Sequence, residues 1–298
     1  MASMMPNLQK RRYGSIMVLV SGMVYGLQPL LFSFCFERGA SAVLMAVARH
    51  AVLTLVLLPK ALQKNSRELF VRHWKELLWL CLASAATGVL LYSSYTRLAT
   101  GIAACLHFLY PAFVALLCLV FFRERPSARK LVCVLLCLVG TFLILDFSGE
   151  KISLAGILLA LGSSVTWALY IVWLDKLDLK DVSSDQLLFF VHCGACILTV
   201  IFFGPLIGTG IAAVSPSGWA WIALASAVIG IFGTLFFSIG VRYTDAQTSA
   251  IISTLEPAVS VVVGITVLKE AFSLRTLLGL LLVVSAVLYL SVQSQRLR

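Results

Sequence analysis

Charge is what this sequence has least of. Asp, Glu, Lys and Arg make up 12% of its 298 residues, about half the roughly 25% carried by a soluble globular chain. A soluble domain of this length needs polar side chains to cover its surface. A chain that is 60% hydrophobic, with a mean hydropathy of +1.00, must instead turn its outside to lipid. No polar stretch is long enough to form a soluble domain. No GxxxxGK[ST] sequence is present, so ATP is not expected as the direct energy source unless a partner supplies it. The eight cysteines are scattered through apolar segments, and Cys193 and Cys196 form a lone CxxC with no second pair to complete a metal site. They read as small apolar filler, so neither metal nor cofactor is expected. The ten-residue alternation of a membrane barrel is missing too, which leaves helices as the only spanning element. The formal charge of +10 is not gathered in one patch but divided between apolar runs. It marks membrane flanks and gives no reason to expect a nucleic-acid partner.

What is present is a series of ten apolar runs, at 13–36, 40–59, 74–95, 99–122, 129–147, 153–174, 185–208, 217–241, 246–268 and 274–292. Each is near the length of about 20 residues that crosses a bilayer as a helix. The first, preceded by Lys10, Arg11 and Arg12, is too long for the apolar core of a signal peptide and reads as a span. With the N-terminus inside, the inner segments carry seventeen Lys and Arg and the outer ones five, while Arg49 lies within a span. That bias predicts that both termini are cytoplasmic.

The two halves of the chain repeat one another. The stretch "HFLYPAFVALLCLVFFRERPSARKL" from His107 aligns without a gap on "STLEPAVSVVVGITVLKEAFSLRTL" from Ser253, placing Pro111 on Pro257 and Glu124 on Glu270. Near the start of each half, "GSIMVLVSGMVYG" from Gly14 and "GILLALGSSVTWA" from Gly156 match at an offset of 142, so Tyr25 falls on Trp167. The fold class expected is therefore an all-α membrane protein of ten transmembrane helices, arranged as two five-helix repeats over 13–147 and 153–292. Five is odd, so the second copy enters the membrane upside down and the repeats are inverted. Two such copies can form a cavity that opens to one side in one packing and to the other side in the mirror packing.

Pro111 and Pro257 each remove a backbone donor at the same depth of their halves, freeing carbonyls that need a partner in protein or water. Beside the second of them stands Glu256, which costs on the order of 3 kcal/mol at the centre of a membrane helix and should face the bundle interior or a wet cavity. Ser249, Ser253, Glu256 and Ser260 recur at steps of four, three and four, which places them on one face of a continuous helix. The matching positions of the first half include His107 and Tyr110. Tyr25 and Gln28 share a face of the first helix, and Trp167 and Tyr170 share one on the sixth. These ten residues are the candidates for binding substrate or lining its cavity. Serines and aromatics in membrane helices also serve as packing and interface residues, and Glu256 could equally satisfy backbone freed by the prolines. Arg49 and His192 occupy roughly equivalent places in the second and seventh helices and could hold an anion or a structural partner. The small-residue runs "ASAATG" from Ala83 and "ASAVIG" from Ala225 suit close helix packing.

The paired "YPAFVALLCLVFFRE" from Tyr110 and "EPAVSVVVGITVLKE" from Glu256, followed by "LVCVLLCLVGTFLIL" and "LLGLLLVVSAVLYL", resemble the ten-helix EamA-domain proteins of the drug/metabolite transporter superfamily across nearly the whole chain. Two departures from the pattern stand out: Cys133 faces Gly279 in the alignment, and Ala286 faces Gly140. The resemblance implies a substrate cavity between the halves, surrounded by helices one, three, four, six, eight and nine. It also implies export or exchange of small polar metabolites, amino acids among them, in a bacterial inner membrane. The function expected is secondary transport by alternating access, with a small-molecule substrate, the lipid bilayer and, as a candidate, a coupling proton for partners. A membrane-embedded enzyme would need ionisable groups clustered at one depth, and Glu256, His107, Arg49, His50 and His192 are spread over four helices. A non-transporting sensor would bring a soluble domain.

Overall fold

A computed structural model describes residues 7–61, 65–98, 100–144, 153–179, 181–267 and 273–294. All regular structure among them is helical. In order, α1 (Asn7–Gly26), α2 (Gln28–Phe36), α3 (Ala42–Ala61), α4 (Ser66–Arg72), α5 (Trp74–Tyr95), α6 (Thr100–His107), α7 (Tyr110–Phe122) and α8 (Ala128–Ile144) make up the first half. The second half holds α9 (Leu154–Lys176), α10 (Ser184–Ala213), α11 (Pro216–Ala227), a π-helical segment (Val228–Leu235), α12 (Phe236–Tyr243), α13 (Ala246–Ser253), α14 (Leu255–Thr266) and α15 (Leu274–Ser294). Six stretches are long and apolar enough to cross a membrane: Gln9–Phe36, Ala42–Pro59, Trp74–Tyr95, Leu154–Lys176, Ser184–Gly208 and Pro216–Tyr243. Tyr110–Phe122 and Leu277–Tyr289 are apolar but shorter. Large apolar side chains such as Val120, Phe121, Ile201 and Phe202 stand exposed on the outside, as a lipid-facing surface requires.

The helix breaks fall where proline dictates. Pro111 cannot donate to the carbonyl of His107, and α6 gives way to α7 across Phe108 and Leu109, with Leu109 N–H reaching back only to Leu106 O at 3.3 Å. Pro257 cannot donate to Ser253, and there α13 stops, a turn at Thr254 intervenes, and α14 starts. A third break, not expected from the repeat, separates α1 from α2 at Leu27, two residues before Pro29. Its freed Gly26 carbonyl accepts the Ser260 hydroxyl at 2.8 Å. At this point α1 and α14 touch so closely that a Cβ on Gly26 would lie 2.8 Å from the Glu256 carbonyl oxygen. Only glycine permits that approach.

Other contacts lock the halves together. Between α1 and the π segment, the Ser21 hydroxyl donates to Gly233 O at 2.8 Å. Within that segment the Thr234 hydroxyl also donates to Ile229 O, five residues back, at 3.3 Å, the same carbonyl that the i→i+5 pattern of a π-helix assigns to the Thr234 N–H. Helices α8 and α15, which close the two halves, pack against each other; a Cβ on Gly140 would meet the Gly279 carbonyl oxygen at 2.8 Å. At one end of the bundle, ion pairs join the first half to the second: Lys130 Nζ to Asp245 Oδ1 at 2.7 Å, Lys176 Nζ to Glu124 Oε2 at 2.8 Å, and Arg72 Nη1 to Asp181 Oδ2 at 3.1 Å. At the same end Arg242 clamps the α9–α10 connection by donating to Leu179 O and Val182 O at 2.8 and 2.7 Å.

Candidate functional site

The interior holds a cavity of about 40 Å³, room for a few waters. Tyr25, Gln28 and Pro29 line it from the α1–α2 break, Arg49 from α3, and Thr87, Leu91 and Tyr95 from α5. Ala104, His107 and Phe108 come from the end of α6, Trp167 from α9 and Glu256 from the start of α14. The two proline-linked breaks thus each deliver one ionisable side chain, His107 and Glu256, to the same space.

Each polar group is held in place. The Ser253 hydroxyl donates to Glu256 Oε1 at 3.0 Å across the α13–α14 turn, and Glu256 is only 9% exposed. His107 Nδ1 lies 2.9 Å from Ser163 Oγ on α9. Tyr25 Oη sits 2.9 Å from Thr234 Oγ1 of the π segment, and its ring meets the Trp167 ring edge-on at 6.3 Å. Gln28 and Tyr95 both line the cavity. Arg49 Nη1 donates to Tyr92 Oη at 3.0 Å, and Tyr92 is itself fixed by the Phe32 ring 4.8 Å away.

Of the residues singled out in the sequence, Glu256, His107, Tyr25, Gln28 and Trp167 come together in the cavity. The others do not line it. The turn at Thr254 interrupts the expected stripe, so Ser249 pairs with Thr244 while Ser260 braces the α1–α2 break. Ser253 acts on the cavity through Glu256. Tyr110 is fully buried beside His107, ring centroids 5.6 Å apart, and its hydroxyl has no hydrogen-bond partner among the described residues. Tyr170 stacks under Trp167 at 5.1 Å and points its hydroxyl to Ser238, 3.2 Å away. Span eight, expected around the cavity, contributes no lining residue among those described and touches the site indirectly, through the Thr234 contact with Tyr25, whereas the second span contributes Arg49 directly. The repeat offset of 142 pairs His192 with His50 and not with Arg49.

Comparison with known proteins agrees with this architecture. The EamA-like transporter family matches residues 12–146 and again 154–292. The chain belongs to that family. It is 29% identical over 213 residues to an uncharacterized transporter of Synechocystis sp., covering 68% of this chain and 62% of that one. It is 24% identical over 298 residues to the uncharacterized inner membrane transporter YicL of Salmonella typhimurium, covering 96% of this chain and 97% of that protein. It is also 27% identical over 246 residues to the threonine/homoserine exporter RhtA of Salmonella typhimurium, covering 80% and 78% of the two chains. A solved crystal structure, 17% identical, superposes with a TM-score of 0.76 over 95% of this chain and 98% of the other; that likeness concerns the fold. With its two EamA repeats and its long apolar helices, this is a multi-pass membrane protein of a transporter family.

Proposed function

We propose that this protein is a secondary transporter that exports or exchanges a small polar metabolite, an amino acid or a close relative, by alternating access. The observation that carries this reading is the cavity at the paired helix breaks, where one half supplies His107 and the other Glu256. Counting each broken pair of helices as a single pass gives ten passes, five in each half, so that the halves run in opposite senses. The distribution of Lys and Arg puts both termini in the cytoplasm, and the bacterial inner membrane is the compartment. The two repeats then correspond to 13–147 and 153–292. A cavity with room for a few waters is too small for a metabolite, so the halves must part on one side to admit it and reclose on the other. Similarity to a threonine/homoserine exporter is consistent with an amino-acid substrate.

The test is transport in inverted membrane vesicles with a pooled metabolite panel, comparing the intact protein with Glu256→Gln. Accumulation of one or a few chemically unaltered compounds, weakened by the substitution, supports the reading. Conversion of a compound, or no flux from correctly folded protein, overturns it. Glu256→Gln also separates two roles. If it holds the substrate, affinity falls in downhill flux too, and Glu256→Asp rescues in part because its shorter stem misplaces the carboxylate. If it carries a coupling proton, uphill transport is lost while exchange and downhill flux persist. The first half has Tyr110 at the equivalent position and no paired acid, which favours substrate holding.

A further inference from the structure

Arg49 is a guanidinium only 5% exposed, and among the described residues no carboxylate lies within ion-pair distance of it. One nitrogen, Nη1, is tied to Tyr92. The other two, Nε and Nη2, are buried without a hydrogen-bond partner among the described residues. Those two nitrogens form one edge of the planar group, where their N–H bonds run parallel, and that edge matches the two oxygens of a carboxylate. A buried, unpaired charge is so costly that a group of this kind is retained where a counter-ion visits it. Glu256 lines the same cavity and, among the described residues, is matched only by the Ser253 hydroxyl. The two groups are not paired with each other: no ion pair joins Arg49 and Glu256 among the described residues. Tyr25, Arg49 and Glu256 line the one cavity together.

We infer that Arg49 and Glu256 are the two poles of a binding site for a zwitterion, with the open edge of Arg49 taking the substrate carboxylate and Glu256 its ammonium. This rests on the transporter reading and narrows its substrate class to α-amino acids and compounds of the same charge pattern. Tyr92 is a positioning residue: by holding Nη1 it leaves the Nε and Nη2 edge free. Leu91, Ala104, Phe108 and Trp167 supply the apolar part of the cavity wall, which suits an uncharged side chain. An anion alone would leave Glu256 unmatched and a cation alone would leave Arg49 so, which disfavours both.

The experiment is counterflow in proteoliposomes loaded with a mixture of neutral L-α-amino acids, competed with matched analogues. Methyl esters remove the anionic pole, and 2-hydroxy acids remove the cationic one. Each analogue should compete at least tenfold more weakly than its parent. Arg49→Gln should abolish the preference for acid over ester, Arg49→Lys should restore part of it, and Glu256→Gln should abolish the preference for amino over hydroxy acid. The analogue series on the unaltered protein stands even where a variant fails to fold. Esters or hydroxy acids competing as well as their parents would overturn the zwitterion site. So would flux of a compound from a metabolite extract when no amino acid moves, an outcome that leaves the transporter reading intact. Absence of any flux with folded protein overturns both.

Discussion

His50 on α3 and His192 on α10 meet ring to ring, Nδ1 to Nδ1 at 2.8 Å, both fully buried. They sit at the same position of the two repeats, 142 residues apart, so the pair joins the two halves. Two identical atoms cannot share one hydrogen bond symmetrically when both rings are neutral: one must donate and the other accept. A single proton position therefore makes the two halves unequal at their joint.

From this contact comes a first prediction. Replacing either histidine with leucine leaves the other buried without its partner and should destabilise the purified protein by about 1–3 kcal/mol. Replacing both should cost clearly less than the sum of the two changes. Thermal unfolding of the two single variants and the double variant in one detergent measures this; strictly additive losses would show that the bond contributes nothing.

The helix breaks give a second. Pro111→Ala returns an N–H that can close onto His107 O, and Pro257→Ala does the same for Ser253, straightening the turns that aim His107 and Glu256 into the cavity. Specific transport should fall several-fold while folded yield changes little. Large losses of folded protein with unchanged activity per folded molecule would make the prolines packing features.

The ion pairs between the halves respond to acid. Hydrogen bonding to His73, reinforced by Arg72, holds the exposed Asp181 carboxyl below its ordinary value. Burial works against the charge of Asp245, but Lys130 and Thr248 outweigh it and hold that carboxyl low as well. A carboxylate whose folded value is depressed contributes stability above its unfolded value, about 4, and loses it as pH falls through the folded one. Between pH 7 and about 5 these pairs should hold; they should begin to weaken below about 4 and open as pH falls on through the depressed folded values. The measurement is labelling of a cysteine placed at this end, as a function of pH. Charge reversal of Lys176 alone should increase labelling, and joint reversal with Glu124 should reduce it again. An unchanged pattern would mean that the pairs do not close this end.

Topology supplies the fourth. The α3–α5 connection, with Arg67, Arg72 and Lys75, should lie on the cytoplasmic side together with both termini. Reporter fusions that place this connection in the periplasm would reverse the orientation.

Much of the site was legible because membrane chemistry is unforgiving: a proline or a glutamate inside an apolar run has few tolerable explanations, and the repeat supplied the second copy of each break. Glu256, His107, Tyr25, Gln28 and Trp167 followed from that. The serine stripe did not survive, because helical spacing was carried across Thr254, where the helix stops. Pro29 was visible in the sequence, yet the break before it had no counterpart in the second half to call attention to it. Arg49 was visible as a charge within a span, but its importance depends on which nitrogens go unpaired, and no pattern of residues encodes that. The π segment gave no signal, since its extra residue per turn is drawn from the same small and apolar residues as its neighbours.

The α8–α15 contact carries a further consequence. Gly140 meets Gly279 at one end of this antiparallel pair, whereas the positions related to them by the repeat are Ala286 and Cys133. One end therefore has two glycines where its counterpart has side chains on both helices. If facing inward and facing outward were produced by perfect twins trading places, the two states would have equal energy and the empty carrier would spend half its time in each. Unequal ends of a shared seam remove that degeneracy. On the alternating-access reading proposed above, the unloaded protein would then have a resting side, and the difference in energy would set how much of any substrate's binding is spent in turning it round.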